Sequence, residues 1–80
     1  MSRAADVVEV VARALAARPD AVKVTEADRR GTTVVELTMA PGELGRVIGR
    51  QGRTAAALRT LATAAGALEG RRVSVDFRDE

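Results

Sequence analysis

Val47-Ile48-Gly49-Arg50-Gln51-Gly52-Arg53-Thr54 is the stretch on which the reading of this chain turns. Two glycines bracket two polar residues, an aliphatic pair stands before them, and a long Ala-rich run follows. A turn with glycine at each end lets backbone approach a ligand with no Cβ in the way. The run from Arg53 to about Leu68 has helical periodicity, with Leu58, Leu61, Ala62 and Ala65 on one stripe. The first N–H groups of such a helix lack intrahelical acceptors, and its dipole favours an anion there. Arg50 and Arg53 add cations at the helix end where a purely structural helix prefers Asp or Glu. That arrangement makes sense if phosphate binds.

Working outward, Glu43 to Ile48 allows little more than one helical turn, after Pro41-Gly42. Before it, Val22 and Val24 alternate with Lys23 and Thr25, and Val35, Leu37 and Met39 alternate with Glu36 and Thr38. Asp28-Arg29-Arg30-Gly31 supplies the turn of an antiparallel hairpin. Residues 3–18 read as an amphipathic helix, N-capped by Ser2 and ended by Arg18-Pro19-Asp20. After Gly66 and Gly70, either a possible helix stop, Val73, Val75 and Phe77 alternate with Ser74, Asp76 and Arg78 in a last strand. The order is α-β-β-α-α-β. A helical crossover between the second and third strands favours a parallel pair. The expected fold is α+β, a three-stranded mixed sheet with three helices on one face. Lys23, Thr25, Glu36, Thr38, Ser74 and Asp76 are expected on the open face.

At 80 residues, the chain has room for one domain, spanning 1–80, with a small core. Cys, His, Trp and Tyr are absent, which removes disulfides, thiol and imidazole chemistry and zinc ribbons. Phe77 is the sole aromatic, so the chain is not a module that stacks bases on an aromatic platform. No GKS or GKT follows the glycines and the acids are scattered, which argues against a nucleotide hydrolase. No cofactor, metal or membrane partner is expected. Neither a secretory signal nor a spanning helix is apparent, and a bacterial-type cytoplasmic protein is the simplest reading.

The net charge is only +2, but it is unevenly placed. From Pro41 to Thr60, Arg46, Arg50, Arg53 and Arg59 face one acid, Glu43, whereas the other sixty residues carry nine cations and ten acids. Abundant Arg and Ala is also what a GC-rich genome produces, so it is this clustering beside the glycines that points to a polyanion. Gly42-Glu43-Leu44-Gly45 repeats the GxxG spacing, but Glu43 would repel phosphate, and its glycines are read as turn residues.

The stretch Val47-Ile48-Gly49-Arg50-Gln51-Gly52-Arg53 resembles the signature of the KH domain, and the element order resembles its type II form. With Gly45-Arg46 before it and Ala57-Leu58-Arg59-Thr60-Leu61 after it, the chain is similar to the bacterial KhpA family of single-KH RNA-binding proteins. The resemblance implies a non-enzymatic protein whose GxxG loop clamps the backbone of about four nucleotides of single-stranded RNA. Gly49 and Gly52 would permit close approach, and Arg50 and Gln51 would meet phosphate or sugar. Val47 and Ile48 would form the groove or its floor, a plain core role for Ile48 being equally open. Arg46, Arg53 and Arg59 are candidate phosphate contacts, with a solvated helix face preferred for Arg59. Arg71 and Arg72 could extend the basic surface, but a loop cation kept for solubility is the preferred reading for both. The family further implies a role as RNA chaperone or post-transcriptional regulator, a homodimer, and pairing with a larger KH-containing protein of the Jag (KhpB) type. The alternative is an adaptor that uses the fold mainly for protein–protein contact.

Overall fold

A computed structural model describes residues 1–79, without the side chain of Asp79; of the expected domain span only Glu80 lies outside the described residues. Helix α1 covers Arg3–Leu15, strands β1 and β2 cover Lys23–Arg29 and Thr32–Met39, helix α2 is Leu44–Ile48, helix α3 is Arg53–Leu68 and strand β3 is Arg72–Asp79. The sheet order is β1-β2-β3, with β1 antiparallel and β3 parallel to the central β2. The α-β-β-α-α-β order and mixed sheet are those expected. The hairpin closes through Arg30-Gly31 alone, both at positive φ (54° and 84°), so its turn is two residues long.

One sheet face carries Val35, Leu37, Met39 and Val75, all buried, with Val24, Val73 and Phe77 partly covered at its margins. Ala4, Ala5, Val8 and Ala12 of α1 and Leu58 and Ala62 of α3 close over it. On the opposite face, Lys23, Thr25 and Ser74 are exposed and Glu36, Thr38 and Asp76 are half-buried. Val34 shares that face and is nonetheless 91% covered, lying between Ala27 and Ser74 in the register.

Helix α1 departs from the expectation at its end, and α3 in the face it buries. Helix α1 stops at Leu15 rather than Arg18, and Ala16 is already extended (φ −74°, ψ 141°). The cause is distant in sequence: the Glu43 carboxylate accepts the N–H groups of Ala17 (2.8 Å) and Arg18 (3.2 Å), which draws them out of helical geometry. Pro19–Ala21 then forms a single 3-10 turn. In α3 the buried row is Ala55, Leu58, Ala62 and Gly66, whereas Leu61 is 53% exposed. The i, i+4 row from Leu58 to Gly66 meets the sheet and α1, and Leu61 falls beside it. The two candidate stops of α3 also separate. Arg71 N–H bonds Gly66 C=O (2.8 Å) and Gly70 N–H bonds Ala67 C=O (3.0 Å), the pairing of a Schellman ending with Gly70 after the cap. Gly66 lies inside the helix, where a Cβ would collide with the Val73 side chain and lie 3.0 Å from the Arg71 carbonyl oxygen.

Ser2 does cap α1, its hydroxyl accepting the Ala5 N–H at 3.1 Å. Its own N–H reaches the Glu26 carboxylate on β1 at 2.9 Å. The Ser2 side chain and then its backbone hold Glu26 below the usual carboxylate range. This ties the helix start to the hairpin.

Glu43 is 8% exposed and holds two backbone donors. Glu43→Ala leaves both unpaired and is expected to destabilise by about 1–3 kcal/mol. Glu43→Gln keeps the accepting oxygen and should lose less. Urea unfolding of the two variants checks this, and equal stability of Glu43→Ala and the parent would contradict the capping role.

Candidate nucleic-acid interface

Helix α2 is short because its last residue runs into Gly49, whose φ of 74° and ψ of 175° belong to a region essentially reserved for glycine. The Gly49 N–H still bonds the Gly45 carbonyl at 2.9 Å, closing the helix behind it. Arg50–Gly52 then forms one 3-10 turn, with Gln51 (φ 57°) and Gly52 (φ 72°) left-handed. The Gly52 N–H donates to Gly49 C=O at 3.2 Å, and the Arg53 N–H donates to Arg50 C=O. A Cβ on Gly49 would lie 2.8 Å from Thr54 Cβ and overlap the Thr54 hydroxyl. No such neighbour surrounds Gly52. The first glycine is thus fixed by both torsion and space, the second by torsion alone.

Gly52 is the N-cap of α3 and offers it no side-chain acceptor. The first turn of a 16-residue helix therefore begins without a capping oxygen and without an acid. Arg46, Arg50, Gln51 and Arg53 are exposed around this turn. Arg53 Nη2 donates to Gln51 Oε1 at 2.9 Å, while Arg46 and Arg50 have no side-chain partner among the described residues. Glu43, the one acid expected to oppose them, is turned inward onto Ala17 and Arg18. Its charge is spent on the fold, and the loop presents only cations to solvent. The arrangement offers an anion three arginines and the start of a helix dipole.

The aliphatic pair divides. Val47 is fully buried in the core, so its side chain supports the loop from beneath and has no surface to offer. Ile48 is half-buried at the loop and keeps an accessible side. The surface continues along α3 to β3, which packs against α3, touches α2 and forms one edge of the sheet. Arg59 spans this gap: its guanidinium carbon stands 4.7 Å from the Phe77 ring centroid, and its Nη2 approaches the Val75 carbonyl oxygen at 3.4 Å. A freely solvated Arg59 is thus replaced by one anchored to the edge strand. Arg71 is also engaged, donating to Thr33 Oγ1 (3.0 Å) and pairing with Asp28 (3.3 Å), so it holds the loop before β3 to the hairpin. Arg72 remains exposed.

The model of the KhpA/KhpB KH domain matches residues 5–77, which is nearly the whole chain. The chain belongs to the KhpA/KhpB KH-domain family. It is similar to the RNA-binding protein KhpA of Aquifex aeolicus, 49% identical over 77 residues covering 96% of this chain and 98% of that one. KhpA of Caldanaerobacter subterraneus subsp. tengcongensis is 45% identical over 72 residues, covering 90% and 96%. KhpA of Halalkalibacterium halodurans is 46% identical over 72 residues, covering 90% and 95%. The matched span takes in the GxxG turn, α3 and β3, so the elements that build this surface are those of a KhpA/KhpB domain. The capping role of Glu43 and the pairing of Arg59 with Phe77 leave no mark in the local sequence. Their partners lie more than fifteen residues away along the chain, and no local pattern reveals them.

Proposed function

We propose that residues 1–80 act as a single KH unit that binds single-stranded RNA without catalysing a reaction, as an RNA chaperone or post-transcriptional regulator in the cytoplasm. The observation that carries this is the Gly49–Gly52 turn, exposed at Arg50 and Gln51, flanked by Arg46 and Arg53 and opening onto an uncapped helix. Backbone at the glycines approaches the phosphodiester chain, the arginines neutralise phosphate, and Ile48 faces the bases. A duplex keeps its bases stacked and paired, so single strands are preferred. The naming of KhpA relatives as RNA-binding proteins supports the ligand class.

Filter binding with a salt titration tests the reading. Two to four phosphate contacts give a slope of log affinity against log salt of roughly −1.4 to −2.8. Arg46→Ala is expected to weaken binding to all sequences alike and to reduce that slope by about 0.7. An affinity that ignores salt would remove the phosphate clamp.

A second reading, self-association or docking to a larger Jag/KhpB-type KH protein, is favoured by one observation. Leu61 and Leu68 are 53% and 76% exposed, seven residues apart on α3, with exposed Ala57 and Ala64 beside them. Small residues flanking two leucines suit close helix packing in a homodimer, and two linked sites raise avidity for one strand. Light scattering over a dilution series checks it: a monomer mass throughout removes the homodimer and leaves RNA binding standing. Among the described residues no helix is long and apolar enough to cross a membrane.

A further inference from the structure

We propose that Arg59, held over Phe77 at the β3 edge, is a stacking plate for an RNA base and biases the site toward purines. The inference rests on the RNA-binding reading above. Its ground is the placement of the one aromatic ring. Phe77 sits on the core face of an edge strand, opposite Leu37, and is only half covered. Arg59 closes over it at 4.7 Å, a cation–π separation, while remaining exposed itself. Arg59 therefore covers the ring and still keeps surface open to solvent. No carboxylate pairs with it among the described residues.

Two further features direct a base to that spot. Arg59 lies six residues into α3, or about 9 Å along the axis from the start of the helix. A strand whose phosphates rest at Gly49–Gly52 and that follows α3 toward the β3 edge brings its bases to Arg59. At that gap the Val75 carbonyl, an acceptor that a base amino group would otherwise seek, is already approached by Arg59 Nη2 at 3.4 Å. Hydrogen-bond reading there is blunted, and stacking on the guanidinium plane is what remains. Stacking favours the larger ring systems, hence a purine bias without a fixed sequence.

The test uses the full chain with adenosine and uridine tetraribonucleotides, comparing the parent, Arg59→Ala and Arg59→Lys, with thermal unfolding run alongside. Lysine keeps the charge and loses the plane. The expected result is an adenosine preference in the parent that both variants abolish, with adenosine affinity falling roughly fivefold or more. Arg59→Lys should keep the parent salt slope, and should stay folded even if Arg59→Ala does not. Full recovery of the adenosine preference in Arg59→Lys would overturn the plate and leave Arg59 as a charge only. An unchanged preference in a folded Arg59→Ala would reduce it to a cover for Phe77. In either case, binding that is still lost in Arg50→Asp/Gln51→Asp keeps the RNA reading intact. A parent that binds neither oligonucleotide overturns both.

Discussion

Arg50→Asp with Gln51→Asp is expected to lower affinity for single-stranded RNA by about a hundredfold while the fold stands. Both side chains are exposed at the tip of the turn, and neither belongs to the core. Replacing a charge-assisted contact and a neutral one by two carboxylates forfeits roughly 1.5 kcal/mol or more at each, and 1.4 kcal/mol is tenfold. The repulsion also reaches the backbone, since phosphate must come close to Gly49 and Gly52. Stability should hold or rise. Acids suit a helix N-terminus, and the left-handed φ of 57° at position 51 is easier for Asp than for Gln. Fluorescence anisotropy with a labelled oligonucleotide, beside thermal unfolding, checks both halves. Unchanged affinity in a folded variant would remove the loop from the binding site.

The two loop glycines should respond unequally to alanine. Gly49→Ala places a Cβ against Thr54 on a backbone at φ 74°, ψ 175°, and is expected to lose about 3 kcal/mol of stability. Gly52→Ala meets no neighbour and strains only an αL torsion (φ 72°, ψ 14°), so about 1 kcal/mol is expected. Adding Thr54→Gly to Gly49→Ala should relieve the collision but not the torsion, recovering part of the loss. Chemical unfolding of the four chains checks the order. Equal losses for Gly49→Ala and Gly52→Ala would contradict the geometry given for the turn.

Local signals carried much of the architecture. Helix α3 begins at Arg53 and ends at Leu68 as its periodicity and flanking glycines predict, and the alternation of Val35, Leu37 and Met39 does face the core. What sequence could not convey was set across distance. The end of α1 is decided by a carboxylate twenty-five residues downstream, so the helical pattern overran to Arg18. Leu61 looked like a core residue because apolar spacing in an Ala-rich helix allows several stripes, and only the packing against α1 and the sheet selects one. Within the site, the motif named the turn and its arginines but not their electrostatic setting. Glu43 reads as a repelling acid by position and becomes a buried cap by contact. Val47 and Ile48 are adjacent and chemically alike, yet a 100° step around a one-turn helix buries the first and leaves the second accessible.

The central claim is that single-stranded RNA meets the chain at the Gly49–Gly52 turn and the start of α3. Backbone amide chemical shifts during titration with a tetraribonucleotide test it most directly. Gly49 to Ala55 should shift most, with Arg59 and β3 from Val75 to Phe77 following, while the open sheet face around Val34 and Ser74 stays still. Large shifts on that open face, with the Gly49 to Ala55 amides unmoved, would contradict the account.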